Sequence, residues 1–470
     1  MTTTPPANPT LGREDVRALE RQSVGPVSLP GDAAYPEELA PFNVTVIPAP
    51  AVVVGAAVPG DVAAAVRFAG ERDLPVGVFA SGHQPSLPAD GAVLINTQRM
   101  NTVAIDASAR VARVGAGVLS GQLAAAAADS GLAPLNGSSL SVSVAGYTLG
   151  GGFSPFHGRL RGWAADHVRA IDLVTADGEL RHVTAEHEPD LFWAVRGGKD
   201  NFGIATSLEV SLFDVPRVYG GSMFFAGEHA ESILDTFQAW TAAVPEEMTG
   251  AVALLREPPL PGVPEFLAGQ FVVYVRVVYL GPASAGEQLI EPLRKVAPVI
   301  ADTVAERPYL DMVHDMPAEP PVPVPAYDSS VWLSELTAGA VGALVAHAGP
   351  DSGSPLISVE LRHLGGALSR RPAQPNAVAG RTAGFHVFTV GAGGPDAAVP
   401  LFENEDKLIA ALEPWVATES APNYFSSRDA RDGRIQRAYD PATYQRLVAI
   451  KRAWDPANVF RVNQNIPPAA

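Results

Sequence analysis

The stretch "NGSSLSVSVAGYTLGGGFSPFHGRLRG", Asn136 to Gly162, constrains the fold more than any other part of the chain. It holds seven glycines and five serines, a composition that alone would describe a flexible linker. Yet Val142, Val144, Tyr147, Leu149, Phe153 and Phe156 are interleaved with them, and a linker has no use for large apolar side chains. Such a segment is ordered backbone drawn closely around something, because glycine permits near approach and dihedrals closed to other residues. "RGGKDNFG", with Gly197, Gly198 and Gly203, is a second tight-backbone region.

The chain before that stretch reads as alternating strands and helices. "NVTVIP" and "AVVVGAAV" have strand character, and "TLGREDVRALERQSVG" reads as a helix that Thr10 can cap. In "PGDVAAAVRFAGERDLPVGVFASG" Asp61 can cap a helix, and Gly77 to Phe79 form a buried strand. This strand–helix–strand unit delivers His83 on a turn, "SGHQ". A histidine there can be structural, a metal ligand, a base or an attachment point. Strands follow near Ala92–Asn96, Thr102–Asp106 and Arg110–Val114, then a helix from about Leu119 to Asp129. "VRAIDLVTADGELRHVT" is a hairpin around Asp177-Gly178.

The texture changes near Pro216, which sets the expected division: residues 1–214, 215–414 and 415–470. "EFLAGQFVVYVRVVYLG" and "PLISVELRHLGGAL" read as buried strands, and "HAESILDTFQAWTAAV" and "SAGEQLIEPLRKVA" as helices. "HDMPAEPPVPVPAYDSS" reads as a proline-rich loop. The tail carries a helix with Tyr444, Leu447, Ile450 and Trp454 as its apolar stripe.

Charge and composition exclude several classes. Lys and Arg total 33 against 50 Asp and Glu, a net charge of −17 that argues against a nucleic-acid partner. There is no cysteine, so disulfides, thiolate catalysis and Cys-ligated metal sites are excluded. "MTTTPPANPT" lacks the basic-then-apolar order of a signal peptide, and no apolar run is long enough to span a membrane, so a cytoplasmic protein is the default expectation.

Several partial motifs fail. "VGAGVLSG" supplies Gly115 and Gly117, but Ser120 stands where the dinucleotide fingerprint needs a third glycine. "GGKDNFG" has Asp200 after Lys199, not the Ser or Thr of a phosphate loop. His182 and His187 read as solvent-exposed, and His314 with Asp315 has no third ligand in view, so no metal is expected.

Taken together, "SGHQ", "DGAVLINTQRMNTVAID", "RVARVGAGV", "GLAPLNGSS", "VAGYTLGGG", "DLFWAVRGGKDNFGI" and the tail "AYDPATYQRLVAIKRAWDPANVFRVNQNI" resemble the berberine-bridge-enzyme-like flavoproteins of the vanillyl-alcohol oxidase class. The resemblance covers about residues 45–210 and 420–468. It implies an α+β fold: a two-subdomain PCMH-type FAD-binding domain, completed by the returning C-terminal segment, plus a substrate domain with an antiparallel sheet and flanking helices.

The resemblance also implies roles. His83 matches the histidine bonded to the flavin 8α-methyl. Ser139 takes the place of the cysteine that makes a second bond in many relatives, so at most one covalent link can form. Ser81, Gly82 and Gln84 flank the attachment, and backbone N–H groups of 80–86 and 136–152, including Gly146, Gly150, Gly151 and Gly152, are expected to hold the pyrophosphate. Tyr147 stands where many relatives have a histidine near the flavin, and Val142 at the position that gates oxygen. Arg196 to Gly203, Ile204 and Asn463 are expected beside other parts of the cofactor.

Tyr424, in "NYFSSRD", matches the family's tyrosine–any–asparagine element and is the leading catalytic base, with Ser426 replacing the asparagine and Arg428 a candidate to activate the phenol. Glu360, in "SVELRHLGG", is the second candidate base; it shares a strand face with Arg362, opposite His363, and a structural Glu–Arg pair is the competing reading. Tyr274 and Tyr279 are weaker candidates on the same sheet.

The reaction implied is hydride transfer from an alcohol or related C–H donor to FAD, with molecular oxygen as acceptor. A small-molecule substrate is implied, either in secondary-metabolite tailoring or as a carbohydrate or alcohol. A flavin dehydrogenase using another acceptor and a non-catalytic FAD-binding protein are the alternatives. Neither substrate identity nor oligomeric state is legible.

Overall fold

The computed structural model describes residues 11–84, 87–259, 263–315 and 322–469. The candidate cap Thr10 and part of the turn after His83, Pro85 and Ser86, lie outside them.

Three large sheets organise the described residues, beside a two-stranded pair of Leu132–Ala133 with Phe213–Asp214. The first has four strands in the order Val27–Ser28, Val52–Gly55, Val93–Asn96, Val76–Phe79. Val52–Gly55 and Val76–Phe79 both run parallel to Val93–Asn96, as the strand–helix–strand reading requires. The connecting helix, Pro59–Gly70, is alanine-rich and buries nearly every side chain. Asp61 does not cap it at the first position. It sits in the first turn and accepts from the backbone N–H groups of Val24, Gly25, Ala57 and Val58, which explains a fully buried carboxylate.

The second sheet is antiparallel, in the order Val103–Asp106, Val111–Gly115, Ile204–Ser211, Val168–Val174, Leu180–Val183. The Asp177-Gly178 hairpin is present: Gly178 takes φ +77° and Asp177 Oδ1 accepts from Thr175 Oγ1 at 2.6 Å. Gly115 and Gly117 are glycine for packing, since a Cβ on either would sit 2.2 Å from a carbonyl oxygen. The first two sheets share a core through Val174 and Ile204. The helix Pro441–Trp454 packs on Pro189–Gly198, burying Leu447 and Ile450, with Tyr444 and Trp454 at the margin.

The third sheet is antiparallel, with Val299–Asp302 at one end and Ala326–Leu333 at the other. Between them lie Arg217–Ala226, Phe271–Tyr279, Met248–Arg256, Ser358–His363 and Phe385–Ala392. One face, with Val252, Leu254, Val273, Val275, Leu361 and Val387, packs on the helices Ala230–Thr241, Ala283–Lys295, Ala338–Ala348 and Ala398–Leu412.

Two segments differ from the sequence reading. "NVTVIP" forms turns, not a strand, because Asn43 Oδ1 accepts from the N–H and hydroxyl of Thr45 and closes the backbone on itself. The end of the proline-rich segment is not a loop: Ala326–Leu333 is a full edge strand, paired along its length with Phe385–Ala392. Residues 316–321 of that segment lie outside the described residues.

Candidate active site

The first wall is the turn bearing His83. Gly82 has φ +63°, and a Cβ there would meet Pro41 Cα at 2.6 Å, so only glycine lets the turn press against the 41–43 segment. Phe42 and Asn43 donate backbone N–H bonds to the carbonyls of Ser81 and Gly82. The His83 ring stacks on Phe42 at 4.1 Å and 18°, and its Nε2 lies 2.6 Å from Ser141 Oγ. Ser139 Oγ is 3.3 Å from Ser141 Oγ. A cleft of about 410 Å³ opens beside His83, bounded by Ser81, Gln98, Asn101, Gly117, Gln122 and Ser141.

The second wall is the glycine-rich loop. Residues 140–144 run along 118–121, with Ser120 and Gly121 donating to the carbonyls of Val142 and Leu140. Val142 is half-buried on this run. A short helix, Val144–Leu149, then aims Tyr147 between Gly137 and Gly152, where a Cβ on either would lie 2.9 Å from its ring. Asn423 Nδ2 donates to the Tyr147 carbonyl at 2.6 Å, and a Cβ on Gly150 would fall 1.9 Å from Asn423 Oδ1. Gly151, with φ +116°, packs on Trp163, whereas Gly146 is exposed and has no close neighbour. The Tyr147 hydroxyl is buried without a hydrogen-bond partner among the described residues, and burial pushes its phenol well above the usual tyrosine range.

The third wall is the second face of the large sheet. Because side chains alternate, its cross-strand rows can be read from the register. One row runs Ser222, Arg276, Ala251, Arg362, His386, Trp332; the next runs Phe224, Tyr274, Ala253, Glu360, Phe388, Ser330. Glu360 is held at both oxygens: Arg276 donates to Oε1 at 3.0 Å, and Arg362 donates twice to Oε2, at 2.8 and 2.6 Å. These guanidinium groups outweigh burial and hold the carboxyl below its ordinary value.

Arg362 Nη1 donates to the Tyr424 hydroxyl oxygen at 3.3 Å. Burial raises the Tyr424 phenol above its usual value, with Arg362 opposing. The ring sits against His386 at 4.2 Å, Trp332 at 5.6 Å and Phe388 at 5.8 Å. His386 is fully buried with neither ring nitrogen partnered among the described residues, and burial drives its pKa well below the usual histidine value.

Ser81, Gly82 and Gln84 share the His83 turn, which meets the run of Ser139 and Val142 through Ser141, with Tyr147 on the helix that follows; Tyr424, on the turn Pro422–Tyr424, packs on the sheet face that bears Glu360. Tyr424 lies close enough to Tyr147 to add to the upward push on its phenol. Gly203 and Ile204 are buried at the start of a strand, where a Cβ on Gly203 would meet the Val174 carbonyl at 2.7 Å. Asn463 is buried with its Oδ1 unpartnered among the described residues. Arg196 stacks on Phe192 at 3.8 Å and donates to the carbonyls of Phe192 and Pro375.

Two expectations, those for Arg428 and Tyr279, are corrected, and Ser426 has a local role. Arg428 pairs with exposed Asp406 and does not reach Tyr424; Arg362 supplies that cation. Ser426 caps the helix Ser427–Arg431 with Asp429. Tyr279 packs on the helix-covered face of the sheet, opposite Tyr274. Arg276, Trp332, His386 and Asn423 were missed. Strand alternation could have found Arg276, two residues from Tyr274, but not the cross-strand neighbours.

Comparison with known proteins fits this geometry. Residues 50–184 match the FAD binding domain family and residues 421–467 the berberine and berberine-like family. The chain is 30% identical to (R)-6-hydroxynicotine oxidase of Paenarthrobacter nicotinovorans, over 94% of this chain and 98% of that protein. The crystal structure of 6-hydroxy-D-nicotine oxidase from Arthrobacter nicotinovorans superposes with a TM-score of 0.80 at 26% identity, covering 95% and 98% of the two chains. BBE-like 1 of Physcomitrella patens shares the fold, with a TM-score of 0.84 at 21% identity over 97% and 99%.

Fold and site thus define an FAD-dependent oxidoreductase of the vanillyl-alcohol oxidase class. Within that class the chain belongs to the berberine-bridge-enzyme-like family.

The residues present fit FAD. The cleft beside His83 is edged by neutral hydrogen-bonding side chains, and the Tyr147 hydroxyl and Asn463 Oδ1 are buried without a partner among the described residues. Among the described residues no group of three or more His, Asp or Glu could hold a metal ion, and no helix is long and apolar enough to cross a membrane.

Proposed function

We propose that the protein is an oxidase of a small alcohol or amine donor, with Tyr424 as the base and molecular oxygen as the final acceptor. The observation that carries this reading is the Arg276–Glu360–Arg362 chain ending on the Tyr424 oxygen. A guanidinium on the phenol oxygen opposes the burial that raises its pKa, and so favours the phenolate relative to a buried tyrosine without a cation. Glu360, already engaged by two guanidinium groups, serves as their counter-ion and not as the base.

FAD, when bound, supplies a two-electron acceptor that oxygen can reoxidise with formation of hydrogen peroxide. Tyr424, as the phenolate, takes the donor's O–H or N–H proton and becomes the phenol as the hydride leaves the adjacent carbon, so the donor becomes a carbonyl or imine. His83 is the single point of covalent attachment; backbone N–H groups of the His83 turn and the glycine loop hold the cofactor's phosphates. Tyr147, Gly203, Ile204 and Asn463 position the rest of it, and Val142 leaves room for oxygen. Residues 1–214 with 415–470 form the cofactor-binding part, and 215–414 supply the substrate wall. The likeness to a nicotine oxidase across nearly the full chain supports an oxidase.

The test is anaerobic mixing of the FAD-loaded protein with a panel of alcohols, amines and oligosaccharides, followed by air. Bleaching of the flavin and then stoichiometric peroxide is expected. Bleaching with dye reduction but no peroxide would assign a dehydrogenase, and no bleaching by any donor would overturn the reading.

A further inference from the structure

The edge strand Ala326–Leu333 touches both ends of the candidate site. At one end Trp332 lies against the Tyr424 ring, and Ser330 Oγ donates to the Tyr424 carbonyl at 3.2 Å. At the other end the strand and its approach hold the His83 turn. Val324 exchanges backbone bonds with Phe42 and Val44, at 2.9 and 3.0 Å, and Asn43 Nδ2 donates to the Ala326 carbonyl at 2.8 Å. Phe42 in turn is the surface on which the His83 ring stacks. Each of these hydrogen bonds ends on a backbone carbonyl; one further bond joins two polar side chains. Gln84 Nε2, from the residue after His83, donates to Asp328 Oδ2 at 3.2 Å.

Asp328 is an odd residue to keep there. It is half-buried, pairs with no cation among the described residues, and its charged neighbours Asp429 and Glu405 are themselves acids. Burial pushes its carboxyl up to about 6. Such a group is costly unless its acceptor oxygen has a task. Among the described residues the one hydrogen bond it makes to another residue's side chain goes to Gln84.

We propose that Asp328 is a positioning residue for the cofactor: by fixing Gln84 it sets the orientation of the His83 imidazole, which the flavin bond requires. This rests on the reading of His83 as the attachment point. The 324–333 segment then acts as a strut that registers the cofactor's attachment against Tyr424. An acceptor oxygen, not a negative charge, is what the role demands.

The experiment compares wild type with Asp328→Ala, Asp328→Asn and His83→Ala, each expressed with FAD, by the fraction of yellow flavin retained in an acid-precipitated pellet. Full retention is expected for wild type and Asp328→Asn, whose amide oxygen still accepts from Gln84. None is expected for His83→Ala, and a loss of at least about half for Asp328→Ala. Retention by Asp328→Ala equal to wild type overturns the proposal, as does loss in Asp328→Asn equal to that in Asp328→Ala, which would assign the effect to charge. Should wild type itself release its flavin, the covalent reading of His83 fails by itself. The dissociation constant for FAD then decides: a rise of about tenfold in Asp328→Ala alone upholds positioning, and an unchanged constant overturns it. A thermal unfolding curve for each apoprotein separates this from misfolding.

Discussion

Tyr424 is defined by what it accepts. A tyrosine poised to donate a proton would point its hydroxyl hydrogen at a carboxylate; this one receives an N–H from Arg362, while the nearest acid is occupied by two guanidinium groups. Removing the phenol oxygen with Tyr424→Phe should slow flavin reduction by roughly 10²–10⁴-fold while leaving flavin content intact. Arg362→Met should move the rising limb of the pH–rate profile to higher pH, because the guanidinium opposes the upward push of burial on the phenol. Stopped-flow reduction across pH checks both, and an unmoved limb in Arg362→Met would separate Arg362 from the chemistry. Tyr424 and Glu360 were legible as candidates because each lies in a local motif. Arg362 as the activating cation was not, since the tyrosine and the arginine are 62 positions apart and Arg428 was nearer in sequence.

At the scale of elements, alternation and helical periodicity identified the strands and helices that carry the site, because those patterns reflect burial on one face. They failed where a side chain competes for the backbone, as Asn43 does, and where prolines masked the approach to an edge strand. They also could not foresee Glu405, an acid in the buried stripe of the helix Ala398–Leu412, fully buried with only Thr389 Oγ1, among the described residues, donating to it, at 2.8 Å. Burial pushes its carboxyl up to about 7, above the ordinary value of 4.5. The folded state therefore binds this proton more tightly than the unfolded chain. The stability it contributes is whole below about pH 4.5 and is lost as pH rises through about 7. Glu405→Gln should remove that slope, leaving the variant more stable than wild type at pH 8.5 by up to about 3 kcal/mol. Urea unfolding at pH 5.5 and 8.5 tests this; parallel pH dependences in the two proteins would refute it.

Across the whole molecule, the tail is tied in by charge as well as by its apolar stripe. Lys451 and Asp455 are both fully buried; Lys451 Nζ donates to Asp455 Oδ2 at 2.7 Å and to the carbonyls of Asn201 and Phe460 at 2.7 and 2.9 Å. Asn201 answers by accepting from Ile466 N–H at 2.8 Å. The sequence resemblance placed this tail with the cofactor-binding region, but the lysine that clasps it carries no motif of its own. Lys451→Met leaves Asp455 buried without its cation and should cost about 3–5 kcal/mol. A thermal scan of the flavin-loaded protein would show this as a lowered midpoint with earlier release of flavin, and an unchanged midpoint would mean the clasp is dispensable.

The bond from Asn423 to the Tyr147 carbonyl joins residues 276 positions apart. During translation, the glycine-rich loop emerges long before the asparagine that braces it. The nascent chain therefore waits with this half of its cofactor cradle unbraced until the 420s have left the ribosome. On the proposed reading of this loop as part of the FAD cradle, capture of FAD in its final form would be a late event of biosynthesis, and any pause in translating the middle region would lengthen the interval in which the loop stands unbraced.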